Sequence, residues 1–265
     1  MIEKSNSKDI KSKQIVTVLT LVYNGIPFLK ESVESILNQN YSNFKYLIID
    51  DCSNDDSYLY LKSINDPRVT LIRNENNLGV SKSFNKGLNM IDTLYTIRQD
   101  QDDVSLPNRI NEQILFLQSN PELSAICSFE NVIDKDNRVI RKARSNIINY
   151  GQTLASIMLG LCPVWHPSLA FKTSTLKSIG GFDERYNIAE DFDVTSRLIL
   201  NRLNVDICPE FHLNVREHIS QQSQMYNDVQ YEACLKMQLN SISKFLGSNE
   251  SEILHLYFSR NLRLK

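Results

Sequence analysis

The chain has 265 residues, with 29 basic and 31 acidic side chains and a formal net charge of −2. With 42% hydrophobic and 23% charged residues it can build a sizeable core, which excludes whole-chain disorder and collagen-like or coiled-coil architectures. The balanced charge speaks against a dedicated nucleic-acid binder, and no run approaches the ~18–20 apolar residues that span a bilayer.

Residues 1–14 are polar and lysine-rich, lack the apolar stretch of a signal peptide, and read as a flexible tail. Ile15 to Val22 (IVTVLTLV) is apolar on both faces, which suits a central strand of a covered parallel sheet. Pro27 opens a helical pattern in which Leu29, Val33, Ile36 and Leu37 share a face. A second strand, Phe44 to Ile49, ends in Asp50-Asp51. A helix over about 55–64 follows, with Ser53 or Asp55 as its cap. Then come a third strand, Val69 to Ile72, the turn Asn77-Leu78-Gly79 and a helix over 81–91. A fourth strand, Leu94 to Arg98, runs into Asp100-Gln101-Asp102-Asp103. Pro107 starts a helix to about Ser119, and Leu123 to Phe129 is a fifth strand.

The second half is less regular. It reads as a hairpin over 132–143 turning at Asp136-Asn137, a helical stretch near 153–159, a strand over 165–172 and the pair Gly180-Gly181. A helix over 191–200, a short strand over 205–208 and an amphipathic helical stretch over 221–245 complete it. The five cysteines, Cys52, Cys127, Cys162, Cys208 and Cys234, are scattered and odd in number, so buried thiols in a reducing compartment are expected.

Strands alternating with helices give βαβ units and an open parallel sheet, whose ligands bind beyond the carboxyl ends of the strands. Three strands deliver polar residues there: Tyr23, Asp51 and the turn 100–103. Three carboxylates within four residues repel one another unless a cation sits among them. Mg²⁺ or Mn²⁺ commonly bridges such oxygens to a diphosphate. A solvated turn with Ser105 or Asp103 capping the next helix is the plainer alternative.

The segments TLVYNGIPFLKESVESILNQNYSNFKYLIIDDCSND, NNLGVSKSFNKGLN, RQDQDDVSLPNRI, HPSLAFK and GGFDERYNIAEDFDVTSRL resemble, in order, the motifs of inverting family-2 glycosyltransferases. The resemblance implies a GT-A, Rossmann-type, mostly parallel α/β sheet flanked by helices, with a helical C-terminal extension. It divides the chain into a tail (1–14), a transferase domain (15–220, nucleotide half 15–129 and acceptor half 130–220) and the extension (221–265). It implies that Tyr23 stacks on the nucleotide base and Asp51 hydrogen-bonds it. Asp100 lies near the ribose or metal, and Asp102 is the main ligand of Mn²⁺ or Mg²⁺. Asp191 is the catalytic base, with Glu190 supporting it or orienting the acceptor. His218 reaches the metal or diphosphate, and His166 and Gly181 border the acceptor pocket. Asn85 matches the donor-side motif. Relatives often carry Arg where this chain has Phe84, so Lys82 or Arg98 is expected to supply the basic contact to phosphate, with Arg216 as a further cation.

The expected reaction moves a hexose from a nucleotide-sugar, with UDP favoured, to a hydroxyl of a lipid-linked or oligosaccharide acceptor in surface polysaccharide synthesis. A cytoplasmic enzyme follows. The basic, amphipathic C-terminal stretch fits either closure of the domain or contact with the inner membrane face. Alternatives are a nucleotidyltransferase, whose basic Gly-rich first loop is missing, and a non-catalytic nucleotide-sugar-binding module, which needs no base.

Overall fold

The computed structural model describes residues 14–144, 150–162, 164, 166–218 and 227–246. The expected tail, apart from Gln14, and the start of the C-terminal stretch at 221–226 lie outside them. β1 (Val16–Val22) sits within a parallel block with β2 (Lys45–Asp50), β3 (Val69–Arg73) and β4 (Tyr95–Gln99), in the order β3-β2-β1-β4. Its side chains alternate between two cores, which explains the two-faced apolar run. Val16, Val18 and Val22 pack with α1 (Leu29–Leu37) and with Ile110, Ile114 and Leu117 of α4 (Arg109–Ser119). Leu19 faces the other way, toward Phe84 and Leu88 of α3 (Val80–Met90) and the core that holds Val194 and Leu198 of α7 (Glu190–Leu200). Burying each such side chain is worth ~1.5–3 kcal/mol, so the strand is anchored from both sides. The short α2 (Ser57–Ser63) joins β2 to β3, and Asp55 accepts the Ser57 amide at 3.0 Å at its start.

Beyond β4 the sheet is mixed. β8 (Ala170–Lys172) runs antiparallel between β4 and β6 (Leu123–Ile133), and β9 (Asn204–Arg216) runs parallel to β6. The two-residue β5 (Val104–Ser105) pairs with β9, and β7 (Val139–Ala143) folds back on β6 as the expected hairpin. β9 is far longer than the strand expected at 205–208. Pro209 masks the rest: the register jumps from Ser128–Cys208 to Phe129–Phe211, so the strand continues past a bulge. The stretch expected as a strand from 165 is instead a 3₁₀ turn, His166–Ser168, ahead of β8. Nor do Asp103 or Ser105 cap α4. Asn108 is its N-cap, and Ser105 lies in β5.

α5 (Tyr150–Met158) and α8 (Asn227–Leu246) pack on α7 through Ile157, Phe192, Ile199 and Met237, while α6 (Thr173–Ser178) packs through Leu176 in the core that holds Leu19 and Phe84. Gln238 of α8 donates to the Met158 carbonyl at 2.7 Å, satisfying the C-terminal end of α5. The described part of the extension thus closes the domain. Among the described residues no helix is long and apolar enough to cross a membrane.

Candidate active site

The carboxyl ends of β1, β2 and β4 meet as expected, but their side chains divide the work differently. Tyr23 is 40% exposed, leaving its ring open to a ligand. Its amide donates to Gln101 Oε1 at 2.9 Å and its carbonyl accepts from Gln101 Nε2, so the middle residue of the acidic turn fastens the first loop. Asp51 is buried. Its carboxylate accepts from Asn74 Nδ2 (2.7 Å) and from the Leu78 and Gly79 amides (both 2.9 Å). This carboxylate therefore shapes the loop that enters α3. Asp50 pairs with Arg73 at 3.3 Å.

In the acidic turn, Asp103 points inward and accepts the Arg216 amide at 2.9 Å. Burial first, then the neighbouring Asp102 and Asp100 charges, raises its pKa well above the carboxylate range. The buried Arg216 guanidinium holds the Asp102 carbonyl (3.0 Å), Glu31 (2.7 Å) and Asn137 (2.8 Å), which makes it an anchor of the turn. Gln99 donates to the Asp100 and Asp103 carbonyls. The turn is thus fixed from several sides.

Asp102 faces outward, with Oδ2 2.9 Å from His218 Nε2, and the His218 ring rests on Phe28 at 4.7 Å. Among the described residues no three His, Cys, Asp or Glu side chains gather into a cage. The pair offers a carboxylate oxygen and an imidazole nitrogen. This donor set fits a divalent ion such as Mn²⁺ whose other positions come from the ligand. Asp100 joins a different group.

That group centres on Arg98, which is 12% exposed at the side chain. Its guanidinium binds Asp100 at 2.7 and 3.3 Å, Glu190 at 3.2 Å and His166 Nδ1 at 2.6 Å, and lies 4.8 Å over the Phe84 ring. Phe84 is thus the platform for an arginine from the neighbouring strand. Burial alone would lower the Arg98 pKa, but Asp100, Glu190 and Asp191 hold it above its ordinary value. Arginine only donates, so His166 Nδ1 accepts and the ring is neutral. Burial, then Arg98, keeps its pKa well below the usual range. The His166 Nε2 proton then points into a buried space without a partner among the described residues.

Glu190 and Asp191 open α7 after Ala189, whose φ of 60° is left-handed. A non-glycine residue held there stores ~1–3 kcal/mol of strain, a feature that clusters at functional sites. Burial pushes the Glu190 carboxyl up to about 7 against the pull of Arg98. Asp191 is raised too, chiefly by burial, while accepting the Phe192 amide at 2.8 Å. The turn before α7 is clamped by Asn85, which accepts the Phe182 amide and donates to the Phe182 carbonyl, both at 2.8 Å. Gly181 has φ +70°, and a Cβ there would stand 2.4 Å from Asn85 Oδ1. Asn85 and Gly181 therefore meet each other. Lys82 is exposed on the same helix as Asn85.

Sequence reading missed the layer beneath. Arg109 is fully buried and donates to the carbonyls of Arg98 (2.7 Å) and Pro167 (3.1 Å) and to Gln99 (2.8 Å). Gln113 donates to the Ser168 carbonyl at 2.7 Å. The signal was present: Arg109 and Gln113 are four apart, in phase with the apolar face of α4.

The sequence and the fold both match known proteins. A family model described as glycosyl transferase family 2 matches residues 17–180. A glycosyltransferase of Methanocaldococcus jannaschii, itself uncharacterized, is 30% identical over 208 residues, covering 77% of this chain and 71% of that one. One of Haemophilus influenzae is 28% identical over 245 residues, covering 88% and 75%. The fold matches S. aureus TarS 1–349 in complex with UDP-GlcNAc at a TM-score of 0.70 and 16% identity, over 92% of this chain and 71% of that one. It also matches the Pyrobaculum calidifontis mannosyltransferase PcManGT, in complex with GDP-Man and Mn²⁺, at 0.65 and 17% identity, over 94% and 72%. The architecture is thus that of a GT-A fold, and this chain belongs to glycosyl transferase family 2.

Proposed function

We propose that this enzyme transfers a hexose, with inversion, from a UDP-sugar to a sugar hydroxyl. One observation carries the reading: a single guanidinium, Arg98, binds Asp100 of the acidic turn and Glu190 of the Glu-Asp pair. The expected donor-side and acceptor-side carboxylates therefore share one counter-ion, which keeps them close together, as suits a single displacement between two bound sugars.

In this reading Asp191 takes the proton of the acceptor hydroxyl. The acceptor oxygen then bonds to the anomeric carbon on the face opposite the departing nucleoside diphosphate, whose C–O bond breaks. Burial raises the Asp191 pKa, which brings its basicity nearer to neutral pH. Glu190 and the unpartnered His166 Nε2 proton orient the acceptor, and the Tyr23 ring stacks on the base. Asp102 and His218 would hold Mn²⁺ or Mg²⁺, which when bound stabilises the leaving diphosphate as a Lewis acid. UDP-GlcNAc in TarS, and GDP-Man with Mn²⁺ in PcManGT, support a nucleotide-sugar donor and a divalent ion. We extend the reading to a lipid-linked or oligosaccharide acceptor of surface polysaccharide, used on the cytoplasmic side of the inner membrane. The positive charge of Arg260, Arg263 and Lys265 would suit that surface.

The test is calorimetry of UDP with and without Mn²⁺, on the native chain and on Asp102→Ala. Binding that strengthens with Mn²⁺ only in the native chain is expected. A variant that keeps the full Mn²⁺ effect refutes the metal role. Thermal-shift assays with UDP-, GDP- and dTDP-sugars identify the base.

A further inference from the structure

Three strands beside the Arg98 group carry side chains that the reaction above does not use. Phe129 on β6 stands opposite Phe211 on β9, with ring centroids 5.5 Å apart, and both rings are half-buried. Lys142 Nζ lies 5.3 Å from the Phe211 ring, and the Arg144 guanidinium lies 5.5 Å from Phe211 and 5.9 Å from Phe129. Both cations are exposed, and among the described residues neither has a carboxylate partner. In the next row Asn131 stands opposite Lys142 and donates to Asn214 at 2.9 Å.

The register locates this platform. Ile97 of β4 pairs with Ala170, which pairs with Ile126 of β6. Three residues onward along each parallel strand, Phe129 is level with Asp100. Alternation also sets its face: Ala125 and Cys127 of β6 pack in the core under α7, and Phe129 and Asn131 continue that side. The platform therefore lies at the level of the acidic turn, on the face that carries the helix of Asp191.

We propose that these residues form an acceptor subsite for an anionic sugar. The apolar C–H face of a ring would stack on Phe211 and Phe129, since aromatic faces are electron-rich. A carboxylate or phosphate on that sugar would meet Lys142 and Arg144, the latter through its paired N–H groups. The plainer role for two cations lying on rings is surface packing. But cation–π contacts at exposed sites are weak, so both side chains can turn to an anion at little cost. The inference rests on the transferase reading, and its test records binding without turnover, so that either can fail separately.

The experiment applies the labelled full chain, without donor, to a glycan array of matched neutral, uronate-bearing and phosphate-bearing oligosaccharides. Anionic members should be retained at least about tenfold better than their neutral partners at low salt, and the preference should collapse at 0.5 M NaCl. The uronate and phosphate arms identify the anion. Lys142→Ala with Arg144→Ala should abolish the preference. Phe211→Ala should weaken retention of the anionic glycans, and Phe211→Tyr, which keeps the ring, should restore it. Retention of no anionic glycan above its neutral partner overturns the proposal. So does a Lys142/Arg144 double variant with an unchanged preference.

Discussion

Replacing Arg98 with methionine should cost about 3–5 kcal/mol of stability at pH 8 and far less at pH 5. The side chains concerned are mostly out of water: Arg98 is 12% exposed, Asp100 24% and Glu190 9%. Removing one partner from such a group leaves uncompensated charge, the source of the ~3–5 kcal/mol. Asp100 keeps some water, which draws the figure toward the lower end. The pH dependence follows from Glu190. Its carboxyl is already up at about 7, against about 4.3 in an open chain, and loss of Arg98 moves it higher. A carboxyl whose folded pKa lies above its unfolded one binds more protons when folded. Stability is therefore lost as pH rises from about 4.3 through the folded value. The deficit of Arg98→Met should thus grow between pH 5 and pH 8, and adding Glu190→Gln should recover part of it at pH 8. Urea denaturation of the native, single and double variants at both pH values measures this. A loss under about 1 kcal/mol at pH 8, or an equal loss at both pH values, would refute the reasoning.

Asp191→Asn should bind donor normally by calorimetry yet lose roughly 10²–10⁴-fold in turnover; near-normal turnover rules Asp191 out as base. Gly181→Ala should cost about 2–3 kcal/mol, because it combines a left-handed φ with displacement of Asn85 from the Phe182 amide. Gly180→Ala, at φ +84° with nothing within 4 Å of the new Cβ, should cost only about 1–2 kcal/mol. Equal melting temperatures for these two variants would contradict the clamp. Glu130 is buried, and burial pushes its carboxyl up to about 7, so the native chain loses stability as pH rises from about 4.3 to 7. Glu130→Gln should therefore gain about 1–3 kcal/mol at pH 8 and little at pH 5. A variant less stable than the native chain at pH 8 would show that the charge of Glu130 is needed.

The parallel block was legible because β1, β2 and β4 are buried on both faces, and a run such as Ile15 to Val22 has few other uses. The long β9 was not, because Pro209 and the polar residues Glu210, His212 and Asn214 break the pattern that marks a buried strand. At the site, residue types pointed to the right places and less well to partners. Asp51 and Asp102 both end up at the sheet's carboxyl edge, yet one binds its own backbone and the other faces His218. The phosphate contact expected of Arg98 came from the resemblance, through Phe84, and not from anything in its own surroundings. The commitment of Arg98 to Asp100, Glu190 and His166 depends on residues up to 92 positions away, which local spacing does not encode.

The Arg216 anchor bears on the order in which the molecule can be made. Glu31, Asp102, Asp103 and Asn137 are all synthesised well before the residue that ties them together. Until β9 emerges and lies down beside β6, the Asp103 carboxylate has no Arg216 amide to accept from, and the acidic turn is held only by earlier contacts such as those of Gln99, Gln101 and Ser32. A nascent chain stopped at residue 180, where the family match ends, already contains the acidic turn but lacks both its anchor and the Glu-Asp pair. Under the proposed reading, the acidic turn gains its last anchor only when β9 is in place, so a chain stalled at residue 180 should bind UDP more weakly than the full chain.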